Sequence, residues 1–148
     1  MADQFGVVVV QAAQTSPTLT TVAQLVAAAN RRVKVLGISV TFNGTVNTNA
    51  PVLVELLRQS STGTSTIATP SKIDPSQAES LLTGGLQLFT AEPTPGDIVD
   101  AWYIHPQAGV INPLPMGQEH KIGGAGRLGL RVTSTNSVLC TAALRFEE

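Results

Sequence analysis

Cys140, His105 and His120 are the side chains best suited to nucleophilic or acid–base chemistry, in a chain of 148 residues with one cysteine and two histidines. A thiol attacks as the thiolate and needs a base or a positive charge beside it. Cys140 stands instead in the apolar run Val138-Leu139-Cys140, and no spacing brings an imidazole to it. A small buried hydrophobe is the expectation. As the lone cysteine it can form no intrachain disulfide. Glu119-His120 and His105 supply too few ligand types at a recognised spacing for zinc. Glu92, Asp97 and Asp100 can share a loop surface, but calcium asks for a denser array of oxygens. Gly123-Gly124-Ala125-Gly126 looks superficially like a phosphate cradle. Such a cradle follows a strand and opens a helix, with Lys and Ser or Thr in place; here a strand follows, so the segment reads as a turn. None of the serines sits in a glycine-flanked nucleophile elbow. The expectation is a protein without catalytic residues, cofactor or metal.

The charges that remain are Arg127, Arg131 and Arg145. Arg131 and Arg145 fall among apolar residues of two late strands, where they either form a solvent stripe pairing with Glu147 or Glu148, or serve an interface. Arginine suits the second role because it offers a rigid donor fork on an apolar stem. Trp102 and Tyr103, the only Trp and Tyr, are adjacent on a strand and so point to opposite faces. One packs inside while the other meets a partner, a loop or solvent. Trp102, Tyr103, Arg131 and Arg145 are therefore the candidate interface residues.

Composition supports an assembling structural protein. Charged residues make up 13% of the chain and the net charge is -1, about half the usual charged fraction. A nucleic-acid binder shows a basic stripe; Arg31, Arg32 and Lys34 are the only local cluster, so no direct nucleic-acid contact is expected. Near-zero charge removes the self-repulsion that keeps proteins apart, which favours an oligomer. The run Val7 to Val10 is too short to cross a membrane, and an acid precedes it with no positive region or cleavage-site pattern. A cytoplasmic product without a membrane partner is expected.

The elements that position these residues read as strands. Phe5 to Ala13 is rich in β-branched residues. Thr20 to Asn30 is ambiguous between strand and short helix. Arg32 to Asn43 is the clearest strand, with Gly37 where the alternation changes phase, as at a bulge. Val52 to Gln59 sets Val52, Val54 and Leu56 on an apolar face and Leu53, Glu55 and Leu57 on a mixed one. Ser60 to Pro70 is polar and reads as a loop or edge excursion. Asp74-Pro75 suits the start of one helical turn, Leu86 to Phe89 a short strand, and Glu92 to Gly96 a rigid turn whose prolines stay out of a central strand. Ile98 to His105 is a strand, Pro106 to Pro115 a long connection, and the last two strands, around Leu128–Val132 and Ser137–Phe146, an antiparallel hairpin. About eight strands with at most one or two short helices imply an all-β, jelly-roll-like antiparallel sandwich of residues 19–148, with residues 1–18 as an N-terminal strand or arm.

The stretches Val40-Thr41-Phe42-Asn43-Gly44, Ala50-Pro51-Val52-Leu53-Val54-Glu55-Leu56, Ala91-Glu92-Pro93, Trp102-Tyr103-Ile104-His105-Pro106 and Leu144-Arg145-Phe146-Glu147-Glu148 together resemble the jelly-roll capsid decoration, or cement, proteins of tailed bacteriophages. The resemblance covers the chain from about residue 33. It implies a homotrimer on the outer capsid surface of the virion, made in the host cytoplasm, that binds the major capsid protein and stabilises the head. It also implies that residues 1–18 act as an arm ordered on the shell. A carbohydrate- or receptor-binding module on the same scaffold, presenting Trp102 and Tyr103 as an aromatic platform, is the alternative; a small shell-forming protein is another.

Overall fold

The structure, a computed structural model, describes residues 2–14, 19–44 and 50–148, and for residues 11–14 the backbone alone. Strands hold 62% of the residues, and no helix is present among those described. In chain order they are β1 (Gln4–Gln14), β2 (Leu19–Val26), β3 (Val33–Asn43), β4 (Val52–Gln59), β5 (Thr64–Ile67), β6 (Ser71–Lys72), β7 (Gly84–Ala91), β8 (Pro95–Ile104), β9 (Gly109–Pro113), β10 (His120–Ile122), β11 (Arg127–Thr133) and β12 (Val138–Glu147). One sheet runs β10-β3-β12-β1-β6, with β9 also on β3, and the other β5-β7-β2-β11-β4-β8. Every pairing is antiparallel. The chain alternates between sheets over β1 to β4 and again over β10 to β12, which is the jelly-roll-like connection expected.

A strand can offer one side chain in two to the core, and the burial follows that rule. Phe5, Val7 and Val9 of β1, Val33, Val35, Ile38, Val40 and Phe42 of β3, and Val138, Cys140, Ala142, Leu144 and Phe146 of β12 face Val52, Val54 and Leu56 of β4 and Leu128, Leu130 and Val132 of β11. Phe5 and Phe146 stack across β1 and β12 with ring centroids 5.5 Å apart, a pair worth about 0.5–1.5 kcal/mol beyond its buried area. In β3 the buried set shifts phase between Val35 and Ile38. The register with β12 slips there as expected, Arg145 pairing Gly37 and Phe146 pairing Val35. The extra residue lets both halves of β3 face the core.

Several expectations change. The ambiguity over Thr20 to Asn30 resolves to strand β2 over Leu19–Val26: flanked by β11 and β7, this segment, Ala23 included, packs in a sheet, where tertiary context decides over propensity. Asp74 opens no helical turn; its carboxylate accepts from the Ser76 N–H at 2.9 Å and the Ser76 hydroxyl at 2.7 Å, a side-chain-closed turn. The connection Pro106–Pro115 contains β9, paired with Gly37–Thr41 of β3 at the sheet edge, where proline is tolerated. The last two strands form no hairpin. β11 pairs β2 and β4 while β12 pairs β1 and β3, so the link between them is an arch from one sheet to the other. Both strands carry a fully apolar face, and an arch turns both faces inward where a flat hairpin would set them side by side. Of the two roles expected for residues 1–18, residues 4–14 take the strand, paired with β12 along its length.

Candidate functional site: the two outer sheet faces

The candidate interface residues divide between opposite faces of the sandwich. On β8, Trp102 pairs with Val54 and packs against the core, whereas Tyr103 pairs with Leu53 and is 73% exposed. The alternation rule sends the two rings apart as expected, so they form no joint platform. Arg131 shares its outer face with Tyr103. Its guanidinium meets Glu55, the Nη2–Oε2 distance being 2.9 Å, with side chains 13% and 9% exposed. That replaces the pairing with Glu147 or Glu148 expected from sequence. Arg131 and Glu55 are directly opposite in the β11–β4 register, while Glu147 is ion-paired to Lys34 at 2.5 Å and Glu148 accepts from Leu81 N–H at 3.0 Å. Arg131 is thus held in an ion pair within the chain.

Beside that pair, a polar network on the same outer face is covered by the chain itself, while the row Ile67, Leu86, Gln24, Gly129, Leu57 and Ile98 leaves Ile67 and Ile98 exposed at its ends. Gln24 Nε2 donates to Gln59 Oε1 at 2.6 Å and to the Ser61 carbonyl at 3.0 Å, and Gln59 Nε2 donates to Thr21 Oγ1 at 3.0 Å. The Glu92 carboxylate accepts from Thr21 N–H and Oγ1, each at 2.7 Å. The Thr21 N–H lies at a register slip between β2 and β11, where a bulge frees a donor from the ladder. Glu92 is therefore committed to the fold and does not join Asp97 and Asp100. Arg127 donates to the carbonyls of Ser60 and Ala125 at 3.3 and 3.4 Å.

The outer face of the other sheet carries no such polar network at its centre among the described residues. The register aligns Ile111 of β9, Ser39 of β3, Ala143 of β12 and Val8 of β1 in one cross-strand row, and Pro113, Gly37, Arg145 and Gly6 in the next. Ile111 is 78% exposed and Val8 52%, with Val10 and Ile73 also exposed. Small side chains fill the centre. A shallow groove of about 400 Å³ runs over these rows, with Leu36, Ile73, Ile111 and Pro113 among its walls and Arg145 in its lining. Arg145 is exposed and has no salt-bridge partner among the described residues. Of the four candidates, Arg145 and Tyr103 are the ones presented to solvent.

The aliphatic residues of this face were not among the sequence candidates. One signal was available: Val7 to Val10 are four valines in a row, and a strand with one face on a core must expose half of them.

The titratable groups follow their surroundings. Cys140 lies in the core, and burial pushes its thiol up to about 12. Burial also lowers the His120 imidazole, opposed by Asp100 and reinforced by Arg58. His105 Nδ1 accepts from the Gln107 N–H at 3.2 Å. Among the described residues no three His, Cys, Asp or Glu side chains gather as metal ligands, and no helix is long and apolar enough to cross a membrane. Comparison with known proteins found no matching family model, no matching curated protein and no matching solved structure.

Proposed function

We propose that this chain is a structural virion protein, a capsid decoration protein that binds the outside of a phage head as a trimer through the β9-β3-β12-β1 face and stabilises it. The observation that carries the reading is the character of that face: exposed aliphatics around small residues, with one unpaired guanidinium at Arg145. Such a surface suits an interface centre, which is depleted in charge yet enriched in arginine. The resemblance of the strand sequences to decoration proteins supplies the partner, the major capsid protein. A shell repeats its sites, so modest contacts summed over a bound trimer give firm retention, and a ligand that binds the intact shell stabilises it by linkage. The carbohydrate-module alternative loses its main support, since Trp102 is turned into the core.

The test is co-sedimentation with heads that lack their decoration protein, followed by heat challenge of the heads. Wild-type protein should pellet with heads and raise their survival. Arg145→Glu and Ile111→Glu should lose pelleting tenfold or more while Tyr103→Ala retains it. Retention by both face variants, or loss only on Tyr103→Ala, overturns the assignment. Light scattering in dilute solution should give the mass of three chains.

A further inference from the structure

The β1 edge offers a second interaction surface, bordering the face just described. β12 flanks β1 from Gln4 to Gln14, but on the other side β6 pairs only with Phe5 and Gly6. Among the described residues no strand pairs with Val7–Gln14 on that side. An edge of this kind presents unpaired backbone donors and acceptors and is a template for another strand. Its sequence, Val-Val-Val-Val-Gln-Ala-Ala-Gln, contains no charge, proline or glycine. Val7 and Val9 are buried, whereas Val8 is 52% and Val10 64% exposed.

The other sheet edges carry the devices that keep strands apart. β8 opens on Pro95 and holds Asp97 and Asp100, with two register slips against β4. β9 ends on Pro113, and β10 is three residues long with Lys121 exposed at its centre. β5 has four residues, and β6 two, one being Lys72, ion-paired to Glu79. The β1 edge carries one register slip, between Val9 and Ala12 against β12, but no charge, proline or short length, and it has its best match in the same edge of another copy.

We propose that two copies of this chain pair through antiparallel β1 edges across a two-fold axis centred on Val9, joining their β1 sheets into one. That register sets exposed Val8 opposite exposed Val10 of the second copy, and Val10 opposite its Val8. β-Branched pairs of this kind stabilise a sheet, and no like charges meet. The contact is isologous, as a two-fold requires. It is distinct from a three-fold contact; where the decoration reading holds, it links neighbouring trimers across the shell.

Cysteine pairing between two tagged chains tests the register. Opposed residues of an antiparallel pair have Cα atoms about 4.5–5.5 Å apart, within disulfide reach. Cys140 is buried and serves as a silent background. Val8→Cys mixed with Val10→Cys should give a mixed disulfide dimer under mild oxidation, at least tenfold more than either variant alone. Absence of the mixed dimer from chains that unfold cooperatively overturns the proposal, as does equal cross-linking of each variant with itself. The double variant Val8→Lys/Val10→Lys should keep its circular dichroism and weaken two-copy association tenfold or more in sedimentation velocity; unchanged association also overturns it. A three-chain mass without cross-linking rejects the edge contact and leaves the decoration reading standing. A two-chain mass with cross-linking does the reverse for the trimer.

Discussion

Gln24 of β2 and Gln59 of β4 join their amides at 2.6 Å across Gly129 of β11, the strand that separates them. The Gln59 side chain lies where a Cβ on Gly129 would stand, closest through Oε1, Cδ and Nε2. A glycine in the middle of a strand is ordinarily a loss; here it opens the passage for the amide bridge. Gly129→Ala should destabilise the fold by about 1–3 kcal/mol, the usual cost of overpacking. In the Gln59→Ala background the same change should cost much less, because the obstructing amide is gone. Urea unfolding of the four proteins gives the coupling energy, and additive effects would show that the two positions do not share space.

The Glu55–Arg131 pair makes an asymmetric prediction. Arg131→Ala leaves a largely buried carboxylate without its charge partner, and breaking such a pair costs about 3–5 kcal/mol. Replacing both residues with Leu and Met should restore most of that stability. Denaturant midpoints for the single and double variants decide it; a single variant as stable as wild type would mean the pair contributes little.

Trp102 and Tyr103 should respond in opposite ways. Trp102→Ala removes a ring packed on the core and should cost about 2 kcal/mol or more, whereas Tyr103→Ala changes an exposed group and should stay within about 0.5 kcal/mol. Thermal unfolding of both tests the assignment of faces directly. Equal losses would place both rings in packed surroundings.

His120 should make stability fall as pH drops below neutrality. Burial holds its folded-state pKa below the ordinary 6.5, so below about pH 6.5 the unfolded chain binds more protons and folding weakens. The contribution is full above 6.5 and declines as pH falls through and below that value. Between about pH 5 and 7, above the range where carboxylates titrate, His120→Gln should flatten the dependence of the urea midpoint on pH. An unchanged slope would assign it to other groups.

Removal of residues 1–18 should unfold the protein rather than detach an arm. The deletion takes Phe5, Val7 and Val9 from the core and exposes the Phe146 ring that stacks on Phe5. Loss of even one such aromatic typically costs about 3–5 kcal/mol. Loss of cooperative unfolding in the truncated chain is the expected result; a folded truncated protein would restore the arm reading.

Local pattern was enough wherever one strand meets one core. Alternation in β3 and β4 marked their buried faces, the phase change at Gly37 marked the bulge, and adjacency alone sent Trp102 and Tyr103 to opposite sides. The candidate face was less legible. Arg145 was visible as an arginine among apolar residues, but its lack of a salt-bridge partner depends on Lys34 holding Glu147 and on Glu148 turning to Leu81.

By itself, the sequence determined the all-β class, the single buried thiol and the inward faces of β3 and β4, because a period of two is a local property of the chain. Tertiary structure decided which strands are neighbours. β11 and β12 lie in different sheets although only a short link joins them, Arg131 meets Glu55 from 76 positions away, and Ile111, Ser39, Ala143 and Val8 align from four separate strands. Register and sheet order arise from pairing energies between distant segments, and a one-dimensional pattern carries no record of partners that satisfy the same alternation equally well.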